Sequence, residues 1–298
     1  VNFRGLLQKS KVPREDIEYV VVGSVISEVK TSNVAREASL AAGLPAKVPA
    51  HTVTMACMSS NQAITTCMEM VRSGHCSITV AGGVDTMSDV PIRIGRKLRR
   101  HLLDYNKSKS TDKVKNLIQL LNPLNWTIEF PSATEFSSNE TMGQSGDRLA
   151  TSFNISRKEQ DEYAIRSHTL AFDAFRNGKM TDIIPVVVPG LKEAVTFDNG
   201  IRHSSMQQIS KLKPVFRKII GSATPANSSF LSDGASACLI MSEEKALAAG
   251  YKPKAYLRDY VYVAQDTRDQ LLLGYVLIHI LQITVKAQNE VQCFFRFV

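Results

Sequence analysis

Cys57 is the residue whose surroundings in this sequence most favour chemistry. Residues 51–55 alternate threonine and valine as a strand does, and residues 59–72 carry apolar side chains at helical spacing. A thiol between the end of a strand and the start of a helix faces free backbone N–H groups and the positive end of the helix dipole, and both stabilise a thiolate. Open α/β sheets also bind ligands at the carboxyl ends of strands. Position alone leaves Cys57 either a nucleophile or a small buried hydrophobic residue.

The other cysteines show no pattern that would bind a metal or build a disulfide framework. The total of five is odd and no C-x-x-C pair occurs, which argues against a zinc ribbon and favours a reducing compartment. His75 and Cys76 are adjacent, but no second pair accompanies them. Cys67 falls on the apolar side of the predicted helix, so we expect it in the core. We therefore expect no metal centre.

Length and composition indicate a folded protein. The 298 residues are 44% hydrophobic and 21% charged, which is enough for one or two cores and argues against global disorder. We find no run of about 18 apolar residues that would predict a spanning helix. The first residue is Val1 rather than methionine, so we expect either a removed leader or a fragment.

Strand-like and helix-like segments alternate at the start of the chain and predict an α/β fold. The segments, in order, are strand 17–25, helix 33–42, strand 51–55, helix 59–72 and strand 77–81. Such short alternation means βαβ units and a largely parallel sheet.

The later part of the chain has both kinds of element. Ser156 and Glu159 form a capping-box pattern that predicts a helix closed by Gly178. The remaining predicted elements are a short strand at 186–188, a strand at 235–242, a helix at 243–249 and a strand at 255–263.

One segment carries almost all of the net charge. Between Arg93 and Lys115 nine basic residues face two acidic ones, so this segment holds +7 of the total of +8. Its apolar residues recur at helical spacing in two stretches, followed by Trp126 and Phe130. Three interpretations compete: a solvated face on two helices, a nucleic-acid patch, and helices that lie on an anionic membrane. Aromatic residues are too sparse for the second, and we favour the third.

Several longer motifs resemble those of the thiolase family. Residues 51–66 (HTVTMACMSSNQAITT) and 80–88 (VAGGVDTMS) are similar to the family's active-cysteine region. Residues 224–237 (TPANSSFLSDGASA) are similar to its pantetheine-contacting loop and the strand beyond it. The segments 141–143 (TMG) and 211–214 (KLKP) occur in the family's order.

The resemblance covers roughly residues 4–274 and implies a thiolase-like fold with its C-terminal half largely absent. Residues 1–249 would form the βαβαβ N-terminal half, with a basic amphipathic loop insertion at about 93–135. Residues 250–274 would begin the C-terminal half, and residues 275–298 would be an unrelated tail.

The resemblance also implies the reaction and its residues. Cys57 would attack the 3-keto carbonyl of a 3-ketoacyl-CoA, release acetyl-CoA and hold the shortened acyl group as a thioester for a second CoA. Ser229 would contact the pantetheine arm of CoA, in a loop shaped by Asn227. Met142 would line the acyl pocket, and Arg202 would lie near the nucleotide end of CoA. Coenzyme A would be a substrate, and no cofactor is implied.

This sequence departs from the family in the groups that complete the reaction. It has no N-E-A-F or H-E-A-F segment, no G-H-P histidine and no second cysteine in a C-x-G-G-type loop. Each missing acid or base contributes about 10²–10⁴-fold to the rate, so we expect impaired turnover by this chain alone. Two alternatives stay open: a catalytically inactive partner in a larger complex, and an unstable truncated product.

The resemblance is greatest to the mitochondrial, long-chain branch of the family. It implies fatty-acid β-oxidation in the matrix or at the inner membrane, in a homo-oligomer or with the α-subunit of a trifunctional complex. It further implies peripheral contact of the basic segment with the anionic mitochondrial membrane, and no nucleic-acid partner.

Overall fold

The computed structural model describes residues 2–131, 134–188 and 190–262, with a four-stranded sheet at its centre. The strands along the chain are β1 (Tyr19–Gly23), β2 (Ala50–Val53), β3 (Ile78–Asp85), β4 (Arg93–Ile94), β5 (Ile128–Glu129) and β6 (Gly234–Met241). The central sheet has the order β2–β1–β3–β6. Strands β2, β1 and β3 are parallel, as the sequence predicts, whereas β6 joins β3 in the antiparallel sense.

The helices cover both faces of this sheet and extend beyond it. They are α1 (Asn2–Ser10), α2 (Val34–Ala42), α3 (Ser59–Arg72), α4 (Arg96–Lys107), α5 (Ser110–Leu121), α6 (Met142–Ser152), α7 (Arg157–Arg176), α8 (Met206–Ile209) and α9 (Glu243–Ala248). The predicted capping box of Ser156 and Glu159 forms at the start of α7. No helix in the described ranges is long and apolar enough to cross a membrane.

The core divides into two clusters because successive side chains of a strand point to opposite faces. Val20 and Val22 of β1 pack with α1 and α2, whereas Val21 between them packs with Ala63 and Cys67 of α3. Cys67 is fully buried, as expected, and burial raises the pKa of its thiol to about 11. Helix α3, which follows Cys57 in the chain, therefore lies firmly on one face of the sheet.

Two glycines allow the first turn of α3 to approach the sheet more closely than side chains would permit. A Cβ atom at Gly23, the last residue of β1, would lie 2.2 Å from the carbonyl carbon of Ser59 and 2.4 Å from the backbone nitrogen of Ser60. A Cβ atom at Gly83 in β3 would lie 2.7 Å from that of Ser60. The neighbour at Gly23 is backbone and cannot rotate away, so this contact requires glycine.

The basic segment folds into a helical hairpin, hereafter the basic hairpin (residues 91–130). Helices α4 and α5 pack against each other, and β4 pairs with β5 to close the base of the hairpin. The two predicted amphipathic helices are confirmed. The two-residue strands were not predicted, because a pair of residues is too short to show a period of two.

Two of the later strand predictions are wrong in part. Residues 255–262 form no strand, and residue 263 lies outside the described ranges. Of residues 186–188, Val186 forms only an isolated bridge with Val195. Both segments are β-branched or aromatic, but β propensity needs a neighbouring strand to produce a ladder. The proposed tail at 275–298 also lies outside the described residues, and the domain boundaries stay predictions.

We predict that Gly23→Ala destabilises the protein by about 1–3 kcal/mol or more, because the new methyl group overlaps the backbone of α3. Unfolding in urea, followed by far-UV circular dichroism, measures the change. Gly146→Ala is the matched control: Gly146 lies inside α6 with nothing within 4 Å of a Cβ atom. We expect that variant to be more stable by about 0.4–1 kcal/mol. Equal midpoints for the two variants would refute the close-approach argument.

Candidate active site

The turn that presents Cys57 joins β2 to α3 within a few residues. Ala56 has φ +45°, a left-handed conformation that a residue with a side chain adopts at a cost of about 1–2 kcal/mol. The N–H of Met58 donates to the carbonyl of Met55 (3.0 Å), and that of Ser59 to the carbonyl of Ala56 (3.1 Å). The chain therefore reverses sharply at Cys57 and leaves it exposed. Strained backbone of this kind is common at functional sites.

Ser59 holds this turn from inside. Its side chain is buried, donates to the carbonyl oxygen of Ala56 (2.6 Å) and accepts from the N–H of Met55 (2.8 Å). Ser59 and Gln62 have the spacing of a capping box, which predicts that Ser59 caps α3. This prediction is wrong: Met58 is the N-cap, and no side chain caps α3. Ser59 lies one residue inside the helix, so its hydroxyl reaches back to the turn. This role depends on the left-handed Ala56, which the sequence pattern does not reveal.

Asp85 is a site residue that sequence reasoning missed. Its carboxylate, at the end of β3, accepts from the N–H groups of Val25 (2.9 Å) and Ile26 (3.0 Å) and from the hydroxyl of Ser24 (3.2 Å). Because β1, β2 and β3 are parallel, this loop lies at the same sheet edge as Cys57. The signal was present in the sequence, since an aspartate directly follows the strand residues of the VAGGVDTMS motif.

No histidine of the described ranges serves Cys57 as a base. The Cys57 thiol forms no hydrogen bond there. His51 precedes it in β2, but its Nδ1 atom lies 3.2 Å from the hydroxyl of Tyr19. His168 accepts from the N–H of Arg202 (3.2 Å), and His203 packs edge-on against Phe172. Each of these three histidines contacts a residue other than Cys57.

Metal chemistry has no site in the part of the chain that the structure describes. No group of three or more histidine, cysteine, aspartate or glutamate side chains that could hold an ion occurs among those residues. His75 lines a shallow groove along α3 with polar side chains, and Cys76 is buried beneath it. Burial raises the pKa of the Cys76 thiol, which disfavours the thiolate that metal binding needs.

A second part of the site is the loop of residues 222–230, hereafter the 222–230 loop. Its first residues are held by Asp147 of α6, which is 2% exposed. One carboxylate oxygen of Asp147 accepts from the backbone N–H groups of Ser222 (2.7 Å) and Ala223 (2.8 Å). The other oxygen lies close to Gly221: a Cβ atom on that residue would be only 2.6 Å from it. A buried carboxylate thus anchors the loop to α6, and glycine makes room for it.

Asn227 anchors the middle of the same loop. Its amide nitrogen donates to the buried carboxylate of Asp161 in α7 (2.9 Å), and its amide oxygen accepts from the N–H of Thr224 (2.7 Å). Asp161 also pairs with Arg157 at 2.8 Å, and that guanidinium donates to the carbonyls of Ile209 and Leu212. Asn227 therefore shapes the loop from within.

The other predicted CoA contacts lie around this loop. Ser229 is exposed, with its hydroxyl donating to the carbonyl of Phe230 (3.1 Å). Arg202 is exposed, and its guanidinium carbon lies 5.7 Å from the centre of the Phe230 ring. Met142 begins α6, where Thr141 and Gln144 form a capping box, and is 40% exposed. The structure thus joins Arg202 and Ser229 through Phe230. Their contact with CoA stays a prediction.

The fold, the cysteine turn and the loop define the class of this protein. The profile of the thiolase N-terminal domain matches residues 2–244, and the chain belongs to the thiolase family. It is 31% identical to the Bacillus anthracis acetyl-CoA acetyltransferase, whose crystal structure superposes with a TM-score of 0.68, covering 85% of this chain and 62% of that one.

The chain is also similar to proteins that are named as particular enzymes of this family. The chain is 56% identical to the human mitochondrial trifunctional enzyme subunit beta over 292 residues, which are 97% of this chain and 61% of that protein. It is 56% identical to a probable 3-ketoacyl-CoA thiolase of Caenorhabditis elegans, covering 91% of this chain and 61% of that protein. The chain therefore spans about 61% of the length of these relatives. The mitochondrial relatives support a mitochondrial location.

We predict that Asp147→Ala lowers the stability of the protein by about 2–4 kcal/mol, because it leaves two buried N–H groups of the 222–230 loop without an acceptor. Asp147→Asn keeps an acceptor but loses the charge, and we expect an intermediate loss of about 1–2 kcal/mol. Urea unfolding measures both changes. Asp173→Ala removes an exposed carboxylate of α7 and should change stability by no more than about 0.5 kcal/mol. A midpoint for Asp147→Ala equal to that of this control would contradict the anchoring role.

Proposed function

We propose that this chain supplies the acyl-accepting cysteine and the CoA-binding loop of a 3-ketoacyl-CoA thiolase of fatty-acid β-oxidation. The observation that carries the proposal is the exposed Cys57, held on a strained turn between β2 and α3 in a member of the thiolase family. The 38–56% identity to proteins named 3-ketoacyl-CoA thiolase points to the same substrates.

The chemistry of the first half-reaction is a carbon–carbon cleavage. The Cys57 thiolate adds to the 3-keto carbon of the substrate, and the bond between C2 and C3 breaks. The electron pair of that bond leaves on acetyl-CoA as an enolate, which takes up a proton. The acyl group stays on sulfur as a thioester and keeps its activation for transfer to a second CoA thiol. Exposure of Cys57 gives a long acyl-CoA access to the sulfur.

Turnover needs donors for the carbonyl oxygen and a proton for the enolate. The 298 residues contain no N-E-A-F, H-E-A-F, G-H-P or C-x-G-G-type segment to provide them. We propose that these 298 residues alone are acylated slowly at Cys57 and pass the acyl group on slowly, because both half-reactions need the missing groups. We also propose that the chain assembles with a second copy or with the α-subunit of a trifunctional complex, since relatives are named subunit beta of a trifunctional enzyme.

We predict that incubation of the full chain with 3-ketohexadecanoyl-CoA attaches one tetradecanoyl group to Cys57 and releases one acetyl-CoA. Intact mass spectrometry with peptide mapping detects the adduct, and acetyl-CoA is assayed in the same sample. Cys57→Ala should show neither product, whereas Cys76→Ser, which changes a buried thiol, should show both.

Each outcome of this experiment separates the alternatives. Many acetyl-CoA molecules per chain would show that the chain turns over without the missing motifs. Acylation without turnover fits the proposal. No acylation by a soluble, folded chain favours a catalytically inactive partner, and persistent insolubility favours an unstable truncated product.

We propose a second role for the basic hairpin, peripheral binding to anionic membrane. Its basic residues accompany an unusually exposed apolar surface, with Leu121 68%, Leu124 83%, Trp126 64% and Phe130 72% exposed. Helices α4 and α5 have no buried residues in the described chain. Exposed apolar side chains beside a dense positive charge are typical of segments that lie in the headgroup region of an anionic bilayer.

We predict that the full chain binds vesicles that contain cardiolipin at low salt and that binding weakens as salt rises. Trp126 is the only tryptophan and lies in the basic hairpin, so its fluorescence should shift to the blue on binding. Replacing Arg96, Arg99 and Arg100 by glutamine should weaken binding by about 1 kcal/mol per residue. Zwitterionic vesicles are the control. Fluorescence that stays unchanged with anionic vesicles would exclude this role.

A further inference from the structure

Phe230 occupies an unusual position at the end of the 222–230 loop. Its ring presses against the backbone of Gly200, since a Cβ atom there would lie only 2.1 Å from the tip of the ring. Its ring also lies beneath the guanidinium of Arg202, 5.7 Å from the ring centre. The side chain nevertheless remains 49% exposed. Phe230 therefore links the 222–230 loop to the segment of residues 200–202 and does not lie in a core.

Arg202 is held from a second direction. Its backbone N–H donates to Nδ1 of His168 in α7 (3.2 Å), which fixes the chain at residue 202. The guanidinium itself is exposed and forms no ion pair with any described carboxylate. The aromatic ring is thus the contact that limits where this positive charge can point, through the attraction of a cation to the face of an aromatic ring.

Phe230 also directly follows Ser229. Asp147 and Asn227 hold residues 222–227 of the loop from one side, as their hydrogen bonds show. Phe230 holds the loop from the other side through Gly200 and Arg202. Ser229 lies between the two anchors. Under the proposed function, Ser229 and Arg202 meet opposite ends of one CoA molecule, so the distance between them decides whether both contacts form together.

We infer that Phe230 is a positioning residue for coenzyme A. This inference rests on the proposed function. The role of Phe230 is to couple Ser229, at the pantetheine arm, to Arg202, at the nucleotide end. The ring sets the orientation of the Arg202 guanidinium toward the phosphates and adenine of CoA. A truncated ligand without the nucleotide should not depend on Phe230, whereas a ligand that spans both ends should.

The test compares equilibrium binding of CoA with that of pantetheine, which lacks both the phosphates and the nucleotide, by isothermal titration calorimetry on the full chain. We expect Phe230→Leu to weaken CoA binding about fivefold, by analogy with the loss of a cation–aromatic contact. Binding of pantetheine should change less than about twofold, because it has no phosphate for Arg202 to contact. Arg202→Ala should weaken CoA binding by a similar factor, and the double variant should be little worse than Arg202→Ala alone, because the two residues act as a unit.

Three further variants separate positioning from general packing. Phe230→Tyr keeps an aromatic ring and should restore CoA binding to within about twofold of the natural chain. Gly200→Ala changes neither Phe230 nor Arg202, but its methyl group would displace the Phe230 ring. This variant should therefore reproduce the selective loss of CoA binding. Leu231→Ala, the matched control, removes a neighbouring side chain that is 73% exposed and should leave both ligands unaffected.

The outcomes also distinguish this inference from the proposed function. Equal losses for the two ligands, or an additive double variant, overturn the positioning role while acylation of Cys57 leaves the thiolase proposal standing. A selective loss of CoA binding in a chain whose Cys57 cannot be acylated supports the positioning role and refutes the proposed reaction. A natural chain that binds neither ligand overturns the positioning role, while acylation of Cys57 still decides the proposed reaction.

Discussion

The close approach of α3 to the central sheet is the constraint on which the site depends. Because Gly23 and Gly83 present no side chains, the backbone of Ser59 and Ser60 lies directly against β1 and β3. The chain must then reverse between β2 and α3 within a few residues, and Ala56 takes up this reversal in a left-handed conformation. Cys57 is carried outward by that turn, while Ser59 locks it from inside. The exposed thiol is therefore a consequence of helix–sheet packing.

The second part of the candidate site is stabilised differently from the cysteine turn. The 222–230 loop has no regular secondary structure, so its backbone N–H groups need partners from elsewhere. Two buried carboxylates provide them, Asp147 from α6 directly and Asp161 from α7 through Asn227. Buried carboxylates are costly unless their oxygens accept hydrogen bonds. Oδ1 of Asp147 accepts from the loop, whereas its buried Oδ2 has no hydrogen-bond partner among the described residues. The stability of α6 and α7 is thereby coupled to the shape of the loop.

Within the described structure, the basic hairpin packs mainly on itself and little on the main core. Its helices pack on each other, and its base is closed by the short β4–β5 pair, so few of its apolar residues reach the main core. This explains how one segment can hold most of the net charge without penalty to the fold, since its charges stay in solvent. It also leaves the apolar side chains of α5 and Trp126 available to another surface.

The sequence by itself determined the α/β class, the parallel part of the sheet, helices α2, α3 and α7, the amphipathic hairpin and the family, because periodicity, caps and long motifs are local. It also identified Cys57 and the loop within residues 224–237 as candidates. Only the tertiary structure decided the antiparallel place of β6, the absence of a strand at 255–262, the left-handed Ala56 and the role of Ser59. Asp147, Asp161 and Phe230 likewise emerged only from the fold, because each acts on residues 28–76 positions away that no local pattern connects to it.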